Sequence, residues 1–185
     1  MISLVRDQLE IYDQNRIALL NDLMGLSADH LRRKPNPDRW SILEIVQHMV
    51  LSERELLGYL PEPNELVDRQ RGLRARLSYA VVLMVLRWRI PVPVPSDGMV
   101  PDGNTSLAEL RQQWDENIGW LRDYLDSVRP ADLARAVFRH PVAGPLTVTQ
   151  AARIAKLHFD AHHRQIRRVK AHVMSELGAE SDHGP

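Results

Sequence analysis

The chain has 185 residues, with 24 basic and 24 acidic side chains and no cysteine. That length favours one domain with a sizeable core, and balanced charge at 44% hydrophobic content argues against disorder and against any global pull toward nucleic acid or anionic membrane. Lack of cysteine excludes disulfides, thiolate ligands and a cysteine nucleophile, so a transition-metal site here has imidazole and carboxylate to draw on.

The N-terminal stretch from Met1 to Asp7 is amphipathic and acquires charge at once, unlike a secretory signal. Leu4, Val5, Leu9, Tyr12, Ile17, Leu20 and Leu23 recur at helical spacing, predicting a helix over residues 2–24 that Gly25 ends. Residues 27–31 read as a short helical turn, and Pro35 and Pro37 impose an extended approach to the next element. Ser41 and Glu44 form a capping box there, with Trp40 and Ile45 placed as a hydrophobic staple. This helix runs through His48, Ser52 and Leu56 to about Tyr59, stopping before Pro61 and Pro63.

A further helix is expected over residues 65–89, carrying the apolar run Tyr79 to Leu86. The run from Leu77 to Leu86 is about half the ~20 residues that cross a bilayer. Arg69, Arg71, Arg74, Arg76, Arg87 and Arg89 flank it, and burial against the bundle or a second subunit is preferred over membrane contact. Alternating prolines 91, 93 and 95 favour polyproline II and open a loop to about Asn104.

Ser106 with Glu109 is a second capping box, opening a helix through Leu110, Trp114, Ile118, Leu121 and Leu125. After Pro130 comes a short turn over 131–137, then a tight connection from His140 to Pro145. Thr147 with Gln150 is a third capping box, opening a final helix to about Leu177, with residues 178–185 a flexible tail. No segment shows convincing strand alternation, so the expected fold class is an all-α bundle.

The last helix carries the most telling residues. His158 and His162 stand four apart, on one helical face and about 5–6 Å apart at Cβ, so both imidazoles can converge on one ion. They share a stripe with Ala151, Ile154, Ala155, Ala161, Gln165 and Val169, whereas His163 is rotated by about 100°. Buried imidazoles need partners; a metal is one, and hydrogen bonds within the core are the other. His48 supplies a third imidazole from a different helix, as bundle cores build metal sites. Three histidines with an open position match the catalytic rather than the structural pattern of zinc. Gln165 is placed to orient a ligand or to sit on the helix surface, and Glu55 reads as a distant acid/base or, better, a solvated glutamate. Ser52 has no base at fixed spacing, the tryptophans read as core or staple residues, and His30, His140, His172 and His183 read as loop or surface residues.

The segment Trp40-Ser41-Ile42-Leu43-Glu44-Ile45-Val46-Gln47-His48, followed by Ser52-Glu53, resembles the second-helix signature of the DinB-like (DinB/YfiT) superfamily. Gly144 and Leu146-Thr147 through His158, His162-His163 and Gln165-Ile166 look like its fourth helix. The resemblance implies a four-helix bundle over residues 1–177 with a long crossover between helices two and three, here the apolar, proline-rich 65–104 insert, and a homodimer. It also implies a divalent metal, zinc or nickel, held by His48, His158 and His162 with one position open.

Relatives that resemble this chain include low-molecular-weight thiol S-transferases. The implied function is a cytoplasmic, metal-dependent transferase acting on a small-molecule substrate with an external thiol, or less readily a hydrolase using water. The competing expectations are a non-catalytic metal-binding or stress-response protein, and a helical interaction module in which the histidines are structural. Neither nucleic acid nor membrane is an expected partner.

Overall fold

The computed structural model describes residues 2–62, 71–88, 90, 92–129, 131–132, 135 and 138–181. The helices are α1 (Ile2–Met24), α2 (Ala28–Arg32), α3 (Ile42–Leu57), α4 (Leu73–Trp88), α5 (Leu107–Ser127) and α6 (Val148–Ser181). A short 3-10 turn, Asp97–Met99, precedes α5, and a small antiparallel hairpin, β1 (Phe138–His140) and β2 (Gly144–Leu146), precedes α6. The all-α reading therefore holds, with the hairpin an exception: the turn Pro141 to Ala143 closes strands too short for alternation to register.

All three capping boxes form. Ser41 accepts from the Glu44 amide while Glu44 accepts from the Ser41 amide; Ser106 with Glu109 and Thr147 with Gln150 repeat the exchange. Each pair satisfies two otherwise orphaned amides, fixing where α3, α5 and α6 begin and hence the phase of every side chain downstream.

α1, α3, α5 and α6 pack around one core that centres on the fully buried Trp114, Ile45, Leu20 and Ile166. Near Trp114 the four long helices meet: Tyr12 from α1 and the Trp114 indole Nε1 both donate to the carboxylate of Glu53 on α3, and Phe159 of α6 lies against both rings. α4 forms a second, smaller cluster. Its Tyr79, Val82, Leu83 and Leu86 cover Phe138, Ala143, Leu146 and Ile154. Its opposite side leaves Leu73, Leu77, Val81, Met84 and Trp88 exposed, so the apolar run is partly buried on one side only.

Within the expected 65–89 helix, Arg71 and Gly72 are not helical and the helix starts at Leu73, while 63–70, Arg89 and Pro91 lie outside the described residues. So do Pro130 and most of the 131–137 turn, and residues 182–185 of the expected tail. The last helix runs on to Ser181 rather than ending near Leu177.

Candidate metal centre

α3 and α6 are adjacent, and their register brings His48, His158 and His162 together. One ring nitrogen of each lies within 4.8 Å of those of the other two. The ring centroids are 5.4 Å (His48 to His158), 4.8 Å (His48 to His162) and 4.5 Å (His158 to His162) apart. His163 is not in the group; it lies against Phe159, as its 100° rotation requires. The most buried stripe of α6 follows Ile154, Phe159, Ile166, Val169 and Val173, so the histidine pair sits on its flank rather than at its centre. Flanking positions suit a site that is sheltered yet reachable.

Two imidazoles are held by partners of their own. His48 Nδ1 donates to the Met99 carbonyl at 2.8 Å, and His162 Nδ1 donates to Gln165 Oε1 at 2.9 Å. These bonds put the proton on Nδ1 and leave the Nε2 lone pair of both rings free, the arrangement metal-ligating histidines adopt. Trp40 lies at a tilt against His48 with ring centroids 4.9 Å apart, whereas Ser52 Oγ, 3.4 Å from its Nδ1, is too distant to fix the ring.

Burial sets the charge state. Desolvation pushes His162 down to about 4, holds His158 well below its ordinary 6.5, and lowers His48 despite the opposing bond to Met99. All three are neutral near pH 7, with their lone pairs available. The donor set thus fits a divalent metal of intermediate softness.

The loop before α5 does more than connect helices. Gln47, beside His48 and buried, accepts from the Gly103 amide at 2.9 Å and donates to Asp102 at 2.7 Å and Thr105 at 3.3 Å. Gly103 adopts φ +72°, where glycine is favoured, and a Cβ there would meet the Glu44 side chain at 3.4 Å. Glu55, partly exposed, accepts from Ser96 at 2.9 Å and so anchors this loop. Met99 is itself buried. The loop therefore lies clamped along α3, and that clamp delivers the carbonyl that orients His48.

Sequence reasoning missed two participants. Met99 acts through its backbone, which no side-chain pattern encodes. His140, expected at the surface, is buried on β1; its Nδ1 accepts the Val142 and Ala143 amides at 3.1 Å each, and it lies within electrostatic reach of His158. Its signal was the run His-Pro-x-x-Gly: a turn closed by Gly144 at φ +74°, with an imidazole capping the turn amides.

The chain is 23% identical over 173 residues to the uncharacterized protein YuaE of Bacillus subtilis (strain 168), a match covering 89% of this chain and 98% of that one. No solved structure matches significantly. The family model described as DinB superfamily matches residues 11–166, which include all three clustered histidines. The chain belongs to the DinB superfamily.

Proposed function

We propose that His48, His158 and His162 bind one divalent metal ion, zinc or nickel, and that the protein is a metal-dependent transferase using an external low-molecular-weight thiol, or water, on a small-molecule substrate. The observation that carries this reading is the convergence of three neutral imidazoles from two helices, two of them with Nδ1 already engaged. Such an ion, when bound with a position open, lowers the pKa of a thiol or water and so makes a nucleophile available near neutral pH.

The chain's own residues do the rest. Met99 and Gln165 hold two rings in one tautomer and one orientation; Trp40 and the flanking core shelter His48; burial keeps the cluster uncharged. With no cysteine in the sequence, a thiol nucleophile has to come from solution.

A second reading, a helical interaction module or a homodimer formed through α4, is favoured by the exposed row Leu73, Leu77, Val81, Met84 and Trp88. Among the described residues no helix is long and apolar enough to cross a membrane.

The test is elemental mass spectrometry on tag-free protein, with His48→Ala alongside. About one zinc or nickel per chain, lost in the variant, supports the metal site and justifies assaying thiol transfer to electrophiles. A metal-free chain that also resists reconstitution removes the enzyme reading.

A further inference from the structure

A cleft of about 500 Å³ opens between the first turns of α4 and the hairpin that precedes α6. Gly72, Arg74 and Ser78 form one wall, and Arg139, His140 and Gly144 the other. Among the described residues, no acidic side chain lines it. Among the described residues, neither Arg74 nor Arg139 has a carboxylate within ion-pair distance or an acceptor within hydrogen-bond distance; elsewhere Arg6, Arg16, Arg54, Arg122 and Arg129 all do.

The histidine completes the pattern. Because His140 Nδ1 accepts two backbone amides, its proton is on Nε2, and the ring's remaining nitrogen is a donor. Burial holds this imidazole neutral, down to about 4, so it acts as a hydrogen-bond donor rather than a cation. With two guanidiniums and a serine hydroxyl, the side-chain polar groups of the cleft offer an excess of donors. Just before Gly72, the Arg71 Nε is also buried with no acceptor. A wall short of side-chain acceptors, carrying two guanidiniums without a partner among the described residues, is complementary to an oxyanion.

We propose that this cleft binds the carboxylate or phosphate group of a small-molecule ligand, with Arg74 and Arg139 as the charged clamp and His140 as the neutral donor. His140 is also the residue that joins the cleft to the histidine cluster, through its electrostatic reach to His158. The inference deepens the proposed function by naming the substrate as anionic, and it rests on that reading for the role of the anion but not for its binding.

The experiment is a ¹⁵N NMR titration of the full chain with sodium phosphate and, separately, sodium acetate at fixed ionic strength. Each is run on protein as isolated and after chelator treatment. Expected are saturable shifts at the amides of Gly72, Ala143 and Gly144 in both preparations. Arg74→Gln and Arg139→Gln, both at exposed positions, should each weaken binding about tenfold, while Arg39→Gln leaves it unchanged. Binding of either anion in this pattern supports the cleft, and their ranking chooses between phosphate and carboxylate ligands.

Shifts that do not saturate, or that ignore both cleft substitutions, overturn the proposal. Anion binding that disappears on chelation also overturns it, because the anion would then sit on the metal. Saturable binding in a protein that is metal-free as isolated and resists reconstitution would keep the cleft and remove the metal reading.

Discussion

Glu53 is a carboxyl enclosed where four helices meet, and replacing it with glutamine tests how the bundle is held together. Burial pushes its pKa up from 4.5 to about 8, against the pull of the Trp114 indole N–H, which favours the charged form. The native state therefore keeps a proton that the unfolded chain releases above pH 4.5. Stability conferred by this group is complete below that pH and is lost as pH rises toward 8. At 1.36 kcal/mol per unit, the loss between pH 5 and pH 8 is on the order of 3 kcal/mol. Glutamine is nearly isosteric with the protonated acid: its oxygen accepts from Trp114, its amide donates to the Tyr12 hydroxyl as the acid's O–H does, and it does not ionise. Urea unfolding of chelator-treated wild type and Glu53→Gln, at pH 5, 6, 7 and 8, should give near-equal stabilities at pH 5. The variant should then pull ahead by about 3 kcal/mol at pH 8. The buried histidines act below pH 6.5 in both proteins and cancel in the difference. Parallel curves would refute the argument, and so would a large loss in the variant at pH 5, which would mean the ionised carboxylate is what the three helices need.

His158→Ala should abolish stoichiometric metal while His163→Ala retains it, measured by elemental analysis; equal loss in both would contradict the assignment of the pair. Metal release on acidification should have its midpoint below 6.5, the ordinary histidine value, because burial depresses all three imidazoles. A chelator-competition titration against pH reads this directly, and a midpoint at or above 6.5 would count against it. Gln165→Ala frees the His162 ring and should weaken metal binding by about 10–100-fold with little change in the fold, read by competition with a chromogenic chelator. Gln47→Ala releases three loop contacts and should both lower the melting temperature and weaken metal binding about tenfold, through Met99 and His48. An unchanged metal affinity would show that the loop is not what orients the ring.

How much of this was legible depended on whether the information was local. Helix starts were, because a capping box is four consecutive residues whose chemistry closes on itself; Ser41, Ser106 and Thr147 all sit where that chemistry puts them. The triad was legible for a related reason. His158 and His162 are coupled by helical period alone, and His48 is phased by a cap seven residues upstream. The hairpin was not, since three-residue strands carry no period and their turn depends on Gly144 at φ +74°. The bond that ties Glu55 to this loop was missed because its partner, Ser96, is 41 residues away, across a loop whose path no propensity gives. The stripe drawn on α6 was off by one position, omitting the buried Phe159, because the histidines were assumed to mark its centre.

The same distinction explains why the α3–α5 connection bears on the site. A ligand-bearing helix needs only its own hydrogen bonds to place a histidine Cβ, but the ring's rotation and tautomer require a further acceptor. On α6 that acceptor is Gln165, one turn along and encoded in the helix itself. On α3 the corresponding space is taken by Ser52, whose hydroxyl lies 3.4 Å or more from the His48 nitrogens, too long to fix the ring. The Met99 carbonyl at 2.8 Å does so instead, and a backbone carbonyl is only as well placed as the loop that carries it. Gln47, Glu55 and the positive-φ Gly103 are therefore best understood together, as the means by which a loop acquires the precision of a helix at one atom. Any change that lets this loop lift from α3 acts on His48 before it acts on the bundle.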